Sequence, residues 1–292
     1  MRLLVTGGSG FLGGYVLPEA ARRGHECSVL TRSTAAAAAV TALGAQPVCG
    51  DLDVPGELRE VFGAAQCDVL VSLTSLGFGH APVIIATAQE AGIRRAVFVS
   101  TTAVTTTLTA PTTPVRLAAE QQIRASDLDW TVLRPTMIYG AAGDRNLSRL
   151  LALLSRVPVL PVPGGGMHLQ QPVHVADVAD AVLSAAARPE AAGRCYDVAG
   201  PEPLTFASLL EIAASAVSSR TRFIPVPLAL VIAVARGYEQ LGAHPRIRTE
   251  QLRRLAEDKA FAIDDAVREL GYAPRPFQAG IRAQALAMGL AR

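Results

Sequence analysis

The segment Thr6-Gly7-Gly8-Ser9-Gly10-Phe11-Leu12-Gly13 has the residue types and spacing to hold a phosphorylated ligand. It follows an apolar run, Leu3-Leu4-Val5, and opens a stretch with helical spacing. Free N–H groups and the positive end of the helix dipole at such a helix start favour a pyrophosphate. Gly7 is expected to allow the tight turn, and Gly10 to clear the space where backbone meets pyrophosphate. Gly13 is expected to let the helix pack close to the sheet. Phe11 and Leu12 complete the cofactor-facing turn.

The end of the second apolar run is the next informative place. An acid there would accept hydrogen bonds from the 2′-hydroxyl of NAD. The chain reads Leu30-Thr31-Arg32-Ser33 instead. Arg32 is either a clamp for the 2′-phosphate of NADP, through its planar fork, or a solvated loop arginine. The expectation is NADPH preferred, with NAD possible. Asp51, after a third run, either faces the adenine or caps its own loop, and Leu52 lies beside it.

Candidate proton donors are few. Tyr139 follows the sixth strand and is either an acid or a packing residue. His80 follows the fourth strand, where loops border the nicotinamide, and is either an acid or an ordinary loop histidine. His168 sits after Gly164-Gly165-Gly166 and is either a pocket group or exposed. His174 reads as structural. Lys259, the sole lysine, contacts an anionic substrate or pairs with Glu257 or Asp258. His80, Met137, Tyr139, His168 and Lys259 make up the expected substrate side. No metal site is expected, because the four cysteines are scattered without ligand spacing.

These residues need a scaffold, and the first half of the chain supplies one. Short apolar runs alternate with helical patterns: strands near 3–5, 27–30, 46–49, 68–72, 96–99 and 130–133, helices near 11–23, 35–43, 55–62, 81–91 and 115–125. That alternation argues for a parallel sheet covered on both faces. The expected fold class is therefore α/β: a Rossmann-type doubly wound parallel sheet with a smaller C-terminal substrate-side domain. The regularity decays after Pro135, and proline and glycine cluster from Val157 to Gly166. Residues 1–156 are expected to form the dinucleotide-binding domain and 157–292 the smaller one, with a strand near 195–199 returning to the main sheet. Helices are expected over 176–187 and 206–217.

The chain has 292 residues, 50% hydrophobic and 18% charged, with formal net charge +2. This fits a globular protein with no nucleic-acid footprint. Four scattered cysteines suit a reduced, cytoplasmic setting. The N-terminal apolar run is too short for a signal peptide. The apolar stretch Pro225–Ala235 is about half a membrane span and contains Pro225 and Pro227, so it is expected to form a buried or peripheral helix.

The glycine spacing, Gly50-Asp51-Leu52, the run Phe98 to Ala103, the segment Ser126 to Pro135, Tyr139-Gly140, Gln171 to Ala179, and Glu257 to Phe261 with Leu270 to Pro274 together resemble the short-chain dehydrogenase/reductase superfamily. The resemblance is to its extended and atypical members. The C-terminal part looks like a branch related to an accessory subunit of respiratory complex I and to nucleotide-sugar epimerases. It covers nearly the whole chain. It implies an NAD(P)-dependent oxidoreductase, a reductase or epimerase-like enzyme acting on a small organic molecule. It implies cofactor contacts at Thr74, Arg116 and Pro135 and a catalytic hydroxyl at Thr102. Two-helix dimer contacts are common in that family, so a homodimer is a possible assembly. The family's catalytic tyrosine and lysine fall on Thr112 and Arg116, and no tyrosine lies between Tyr15 and Tyr139. Either the acid is different, or the protein binds NAD(P) for structure or redox sensing without turnover.

Overall fold

The computed structural model describes residues 1–105, 111–141, 143–144, 146–240 and 257–291, with the side chains of 238–240 outside that description. Its centre is a seven-stranded sheet built from β1 (Arg2–Thr6), β2 (Glu26–Thr31), β3 (Gln46–Cys49), β4 (Val69–Ser72), β5 (Arg95–Val99), β6 (Asp129–Pro135) and a late strand, Arg194–Val198. Spatial order runs from that late strand through β6, β5, β4, β1 and β2 to β3, and every pairing is parallel. The Rossmann-type α/β fold follows from the sequence pattern. Buried on both faces, β4 reads Val-Leu-Val-Ser with no alternation. At one edge β3 carries Pro47, which has no N–H to donate and is tolerated where no further strand needs one.

Helices cover both faces. α1 (Gly13–Arg22) and a later helix, Val175–Ala187, lie on one side with the apolar faces of β1, β4 and β5. α2 (Thr34–Ala42) joins β2 to β3. α3 (Pro55–Ala65), α4 (Ala81–Glu90) and α5 (Thr113–Arg124) pack on the other side. Ser33 caps α2 by accepting the Ala36 N–H at 3.2 Å.

Beyond β6 the chain forms short pieces that alternation did not reveal. β7 (Ile138–Tyr139) pairs with β10 (Val173–His174), β8 (Val159–Pro163) with β13 (Arg222–Val226), and β9 (Leu169–Gln170) with β12 (Leu204–Thr205). Numbered in chain order, α6 is Leu147–Leu154, α7 is Val175–Ala187, β11 is Arg194–Val198, α8 is Phe206–Ala216, α9 is Leu228–Gln240, α10 is Asp264–Leu270 and α11 is Phe277–Ala287. α6, α8 and α11 enclose a separate apolar cluster around Leu151, Leu209 and Ile281. Asp177 on α7 ties the C-terminal segment down, accepting from the Arg275 N–H and Nε at 3.0 and 2.8 Å.

Candidate active site

The cleft lies where the strand order reverses, between the C-terminal ends of β1 and β4, which is where open α/β sheets bind ligands. Gly7 adopts φ +73°, and a Cβ there would stand 2.7 Å from the Thr74 nitrogen. Gly10 has only the Gly7 carbonyl near its missing Cβ, at 3.1 Å, so its backbone faces open space. Gly13 acts differently from the expectation. A Cβ there would overlap the Gly8 backbone, so it closes the loop on itself rather than bringing helix to sheet. Gly8, which the spacing argument passed over, makes the sheet contact: its Cβ would meet Val29 at 2.6 Å.

A cavity of about 550 Å³ occupies the half of the cleft against β2 and β3. Arg32, Asp51, Leu52 and Thr74 line it, together with Ser33, Phe78 and Asp53. Arg32 is exposed, and Asp51 accepts from the Asp53 N–H at 3.1 Å. Thr74 hydrogen-bonds to buried Thr6 at 3.1 Å, which holds the exit of β4 against the glycine loop. A dinucleotide seated as this fold class seats one would put its adenosine here, with its ribose 2′ position facing the residues that follow β2; this half is called the adenosine end.

A second cavity of about 290 Å³ continues from Gly7, Gly10, Phe11 and Leu12 past the exits of β5 and β6. Ser100, Thr101, Arg116, Pro135 and Thr136 line this nicotinamide end. Arg116 is the charged side chain here, and its Nη2 reaches the Ser75 hydroxyl at 3.5 Å.

Three expected catalytic residues are not in this second cavity. Thr102 is only 5% exposed. It begins a 3₁₀ turn and points at the Pro135 carbonyl. Thr101, one residue earlier, caps that turn and faces the cleft; the parity of the strand exit decides which of the two is presented. Tyr139 is 1% exposed, wedged edge-on against His174 and Phe277 with ring centroids 5.3 and 5.2 Å away. Burial pushes its phenol far above the ordinary tyrosine range, so it is a packing residue. His80 lines the adenosine cavity, with Nε2 2.9 Å from Asp53 Oδ1. Its loop turns back toward β3 instead of bordering the nicotinamide.

The expected substrate residues are also dispersed. Met137 packs against the apolar cluster of α6, α8 and α11. His168 lies 3.2 Å from Asp258. Lys259 reaches Gln170 Oε1 at 3.5 Å. None of the three lines either cavity. His174 caps α7 by accepting the Ala176 N–H, and burial lowers its pKa to about 4.

The residue the motif reading missed lies beneath the nicotinamide end. Glu120 is buried and accepts from Ser100 Oγ at 2.7 Å, from Arg134 Nε at 3.0 Å and from Arg124 at 2.9 Å. Burial alone would raise its pKa, but Arg134, Ser100 and Arg124 outweigh that and hold the carboxyl below the usual range, ionised. An ionised carboxylate only accepts, so the Ser100 proton is committed to it. Thr101 Oγ1 accepts the Ala103 N–H at 3.2 Å, which leaves its own proton free to donate. The one signal in sequence was an acid on α5 four residues after Arg116.

Residues 7–189 match a family model described as NAD(P)H-binding. A ketoreductase of 4-hydroxy-2-methyl-3-oxo-4-farnesyl-3,4-dihydroquinoline-1-oxide from Stigmatella aurantiaca is 31% identical, over 94% of this chain and 92% of its own. A 2-alkyl-3-oxoalkanoate reductase from Stenotrophomonas maltophilia is 28% identical, over 94% and 95%. Among solved structures, gox2253 superimposes with TM-score 0.80 at 22% identity, covering 99% of this chain and 98% of that one. A Thermus thermophilus UDP-glucose 4-epimerase in complex with NAD gives 0.73 at 18%, covering 99% of each.

Proposed function

Because the chain belongs to this NAD(P)H-binding family, of the extended short-chain dehydrogenase/reductase type, we propose that it is an NADPH-dependent reductase of a ketone on a small organic molecule. Two relatives that match over nearly its full length are named as reductases of oxo compounds bearing a farnesyl or an alkyl chain, which supports a ketone with a hydrocarbon tail. The glycine turn suits the cofactor, since a Cβ at Gly10 would project into the cleft. Arg32 supports preference for the 2′-phosphate, in the absence of an acid after β2. When bound, the nicotinamide supplies the two-electron reduction.

The observation that carries the reading is the composition of the nicotinamide end: among the described residues it holds one guanidinium, two hydroxyls that only accept and so keep a proton to donate, Thr101 and Ser75, and no titrating acid. Arg116 stays charged at any working pH and cannot give up a proton, but it stabilises the oxyanion that develops on a reduced carbonyl. Thr101 donates a hydrogen bond to the same oxygen. The proton that completes the alcohol comes from water. The reaction therefore proceeds without the family's tyrosine and lysine, whose places are taken by Thr112 and Arg116. The substrate's tail is placed against the apolar cluster of α6, α8 and α11, of which α8 and α11 fall within residues 157–292 and α6 just before them. A second reading, cofactor binding without turnover, is favoured by the absence of Tyr139, His80 and Thr102 from this end.

The test is NADPH oxidation, followed by absorbance, with alkyl-chain 3-oxo acids and cyclic ketones as substrates. Turnover that falls in Thr101→Val and in Arg116→Gln supports the reductase. NADPH binding with no oxidation by any of these ketones supports the second reading.

A further inference from the structure

The apolar stretch Pro225–Ala235 forms the end of β13 and most of α9, and none of the described side chains from Leu228 to Gly237 is buried. The solvent side of α9 carries Ala229, Leu230, Ala233 and Val234, with Arg236 continuing the row. These positions share a face at three- and four-residue spacing. Leu230 and Val234 are 56% and 55% exposed. A helix that is apolar even on its solvent side offers that side to an apolar surface.

The small sheet that leads into α9 continues the same surface. Its parallel register pairs Arg222 with Val159, Phe223 with Leu160, and Ile224 with Pro161. Phe223 and Leu160 pack inward against the α6, α8 and α11 cluster. Alternation then sends Val159, Pro161, Arg222 and Ile224 outward, and all four are exposed.

Charge selects the occupant. The exposed positions on β8, β13 and α9 through Gly237 include Arg222 and Arg236 and no Asp, Glu or Lys, and Glu239 follows at the end of α9. A second copy docked by a two-fold axis would press this patch against itself and set arginine against arginine. The occupant must be apolar and anionic together. We propose that α9 and the outer face of β8–β13 seat on an anionic phospholipid surface. Leu230, Val234 and Ile224 enter the acyl boundary, and the arginine stems reach back to the phosphates. The helix lies in the interface. Among the described residues no helix is long and apolar enough to cross a membrane.

Sedimentation of the full chain with vesicles tests this, using phosphatidylcholine alone and phosphatidylcholine mixed with phosphatidylglycerol. Retention on the anionic vesicles, release by high salt and little binding to the neutral ones are expected. Leu230→Asp and Val234→Asp should abolish retention. Arg222→Glu and Arg236→Glu should each weaken it roughly fivefold or more. NADPH affinity should stay unchanged in all four variants, since every substituted residue is outside the cleft. No retention at low salt, equal retention on both vesicles, or full retention of Leu230→Asp would overturn the proposal. So would a dimer seen by light scattering that Leu230→Asp dissolves while the unmodified protein ignores vesicles.

Discussion

The two ends of the cleft are built on opposite principles. The adenosine end is rich in charge, with Arg32, Asp51, Asp53 and His80 on loops that follow β2, β3 and β4. The nicotinamide end is mostly hydroxyls and apolar side chains, with Arg116 as its charge and a buried ion cluster around Glu120 behind Ser100. On the proposed reading, the first end holds the cofactor, with Arg32 set for a 2′-phosphate. On the same reading, the second leaves room for a substrate and stabilises charge only as it develops. Changes at the first should therefore move binding, and changes at the second should move turnover.

The sharpest way to break this contrast is Gly10→Val, which fills the pyrophosphate approach shared by both ends. NADPH affinity should fall at least a hundredfold, read by fluorescence titration, while circular dichroism stays native. Arg32→Ala comes next. It should erase most of an NADPH-over-NADH preference of about ten- to a hundredfold, the worth of one charge-assisted hydrogen bond, and leave kcat with saturating cofactor nearly unchanged. Equal dissociation constants for both cofactors in the unmodified protein would remove Arg32 from its role. Thr101→Val should lower kcat about tenfold or more with little change in NADPH affinity. Thr102→Val, one residue on, should lower melting temperature rather than kcat.

His80→Gln sharpens the comparison with a smaller effect. It should weaken NADPH binding a few-fold and leave the pH dependence of turnover in place, because the ring stands at the adenosine end. The effect on either end should be smallest at His174, which lies outside both and acts on folding instead. Its folded pKa of about 4 lies below the ordinary histidine value near 6.5. The unfolded chain therefore takes up a proton first as pH falls. Stability should drop through the window from about 6.5 to 4 and then level off. His174→Asn, which retains a capping group, should flatten that slope in denaturant titrations across pH.

Much of the adenosine end was legible because its parts are local. The glycine turn, Arg32 and Asp51 each follow a strand whose apolar run is visible, and the element that aims each one is its immediate neighbour. The nicotinamide end is assembled from β4, β5, α5 and β6, over sixty residues of chain, so a one-residue difference in strand exit exchanges Thr101 for Thr102. Tyr139 misled for a related reason. Its position after β6 suggested a cleft residue, but a two-residue pairing with β10 and the approach of α11 turned it into the core. Phe277 and Gly280, which meet it, lie nearly 140 residues away. β7, β9, β10 and β12 were invisible because two residues leave no room for a period to declare itself, and β8 and β13 because Pro161, Pro163 and Pro225 break up their apolar runs.

The position of β11 bears on how the chain assembles. β6 is complete at Pro135, yet the strand that pairs with its outer side starts at Arg194. A chain emerging from the ribosome at about 5–20 residues per second thus spends several seconds with a bare ladder of N–H and C=O groups along β6. That ladder is a template for any extended segment that arrives first, including another nascent chain on the same message. Quality control of this protein is therefore weighted toward one interval of synthesis, between the end of β6 and the closure of the sheet by β11.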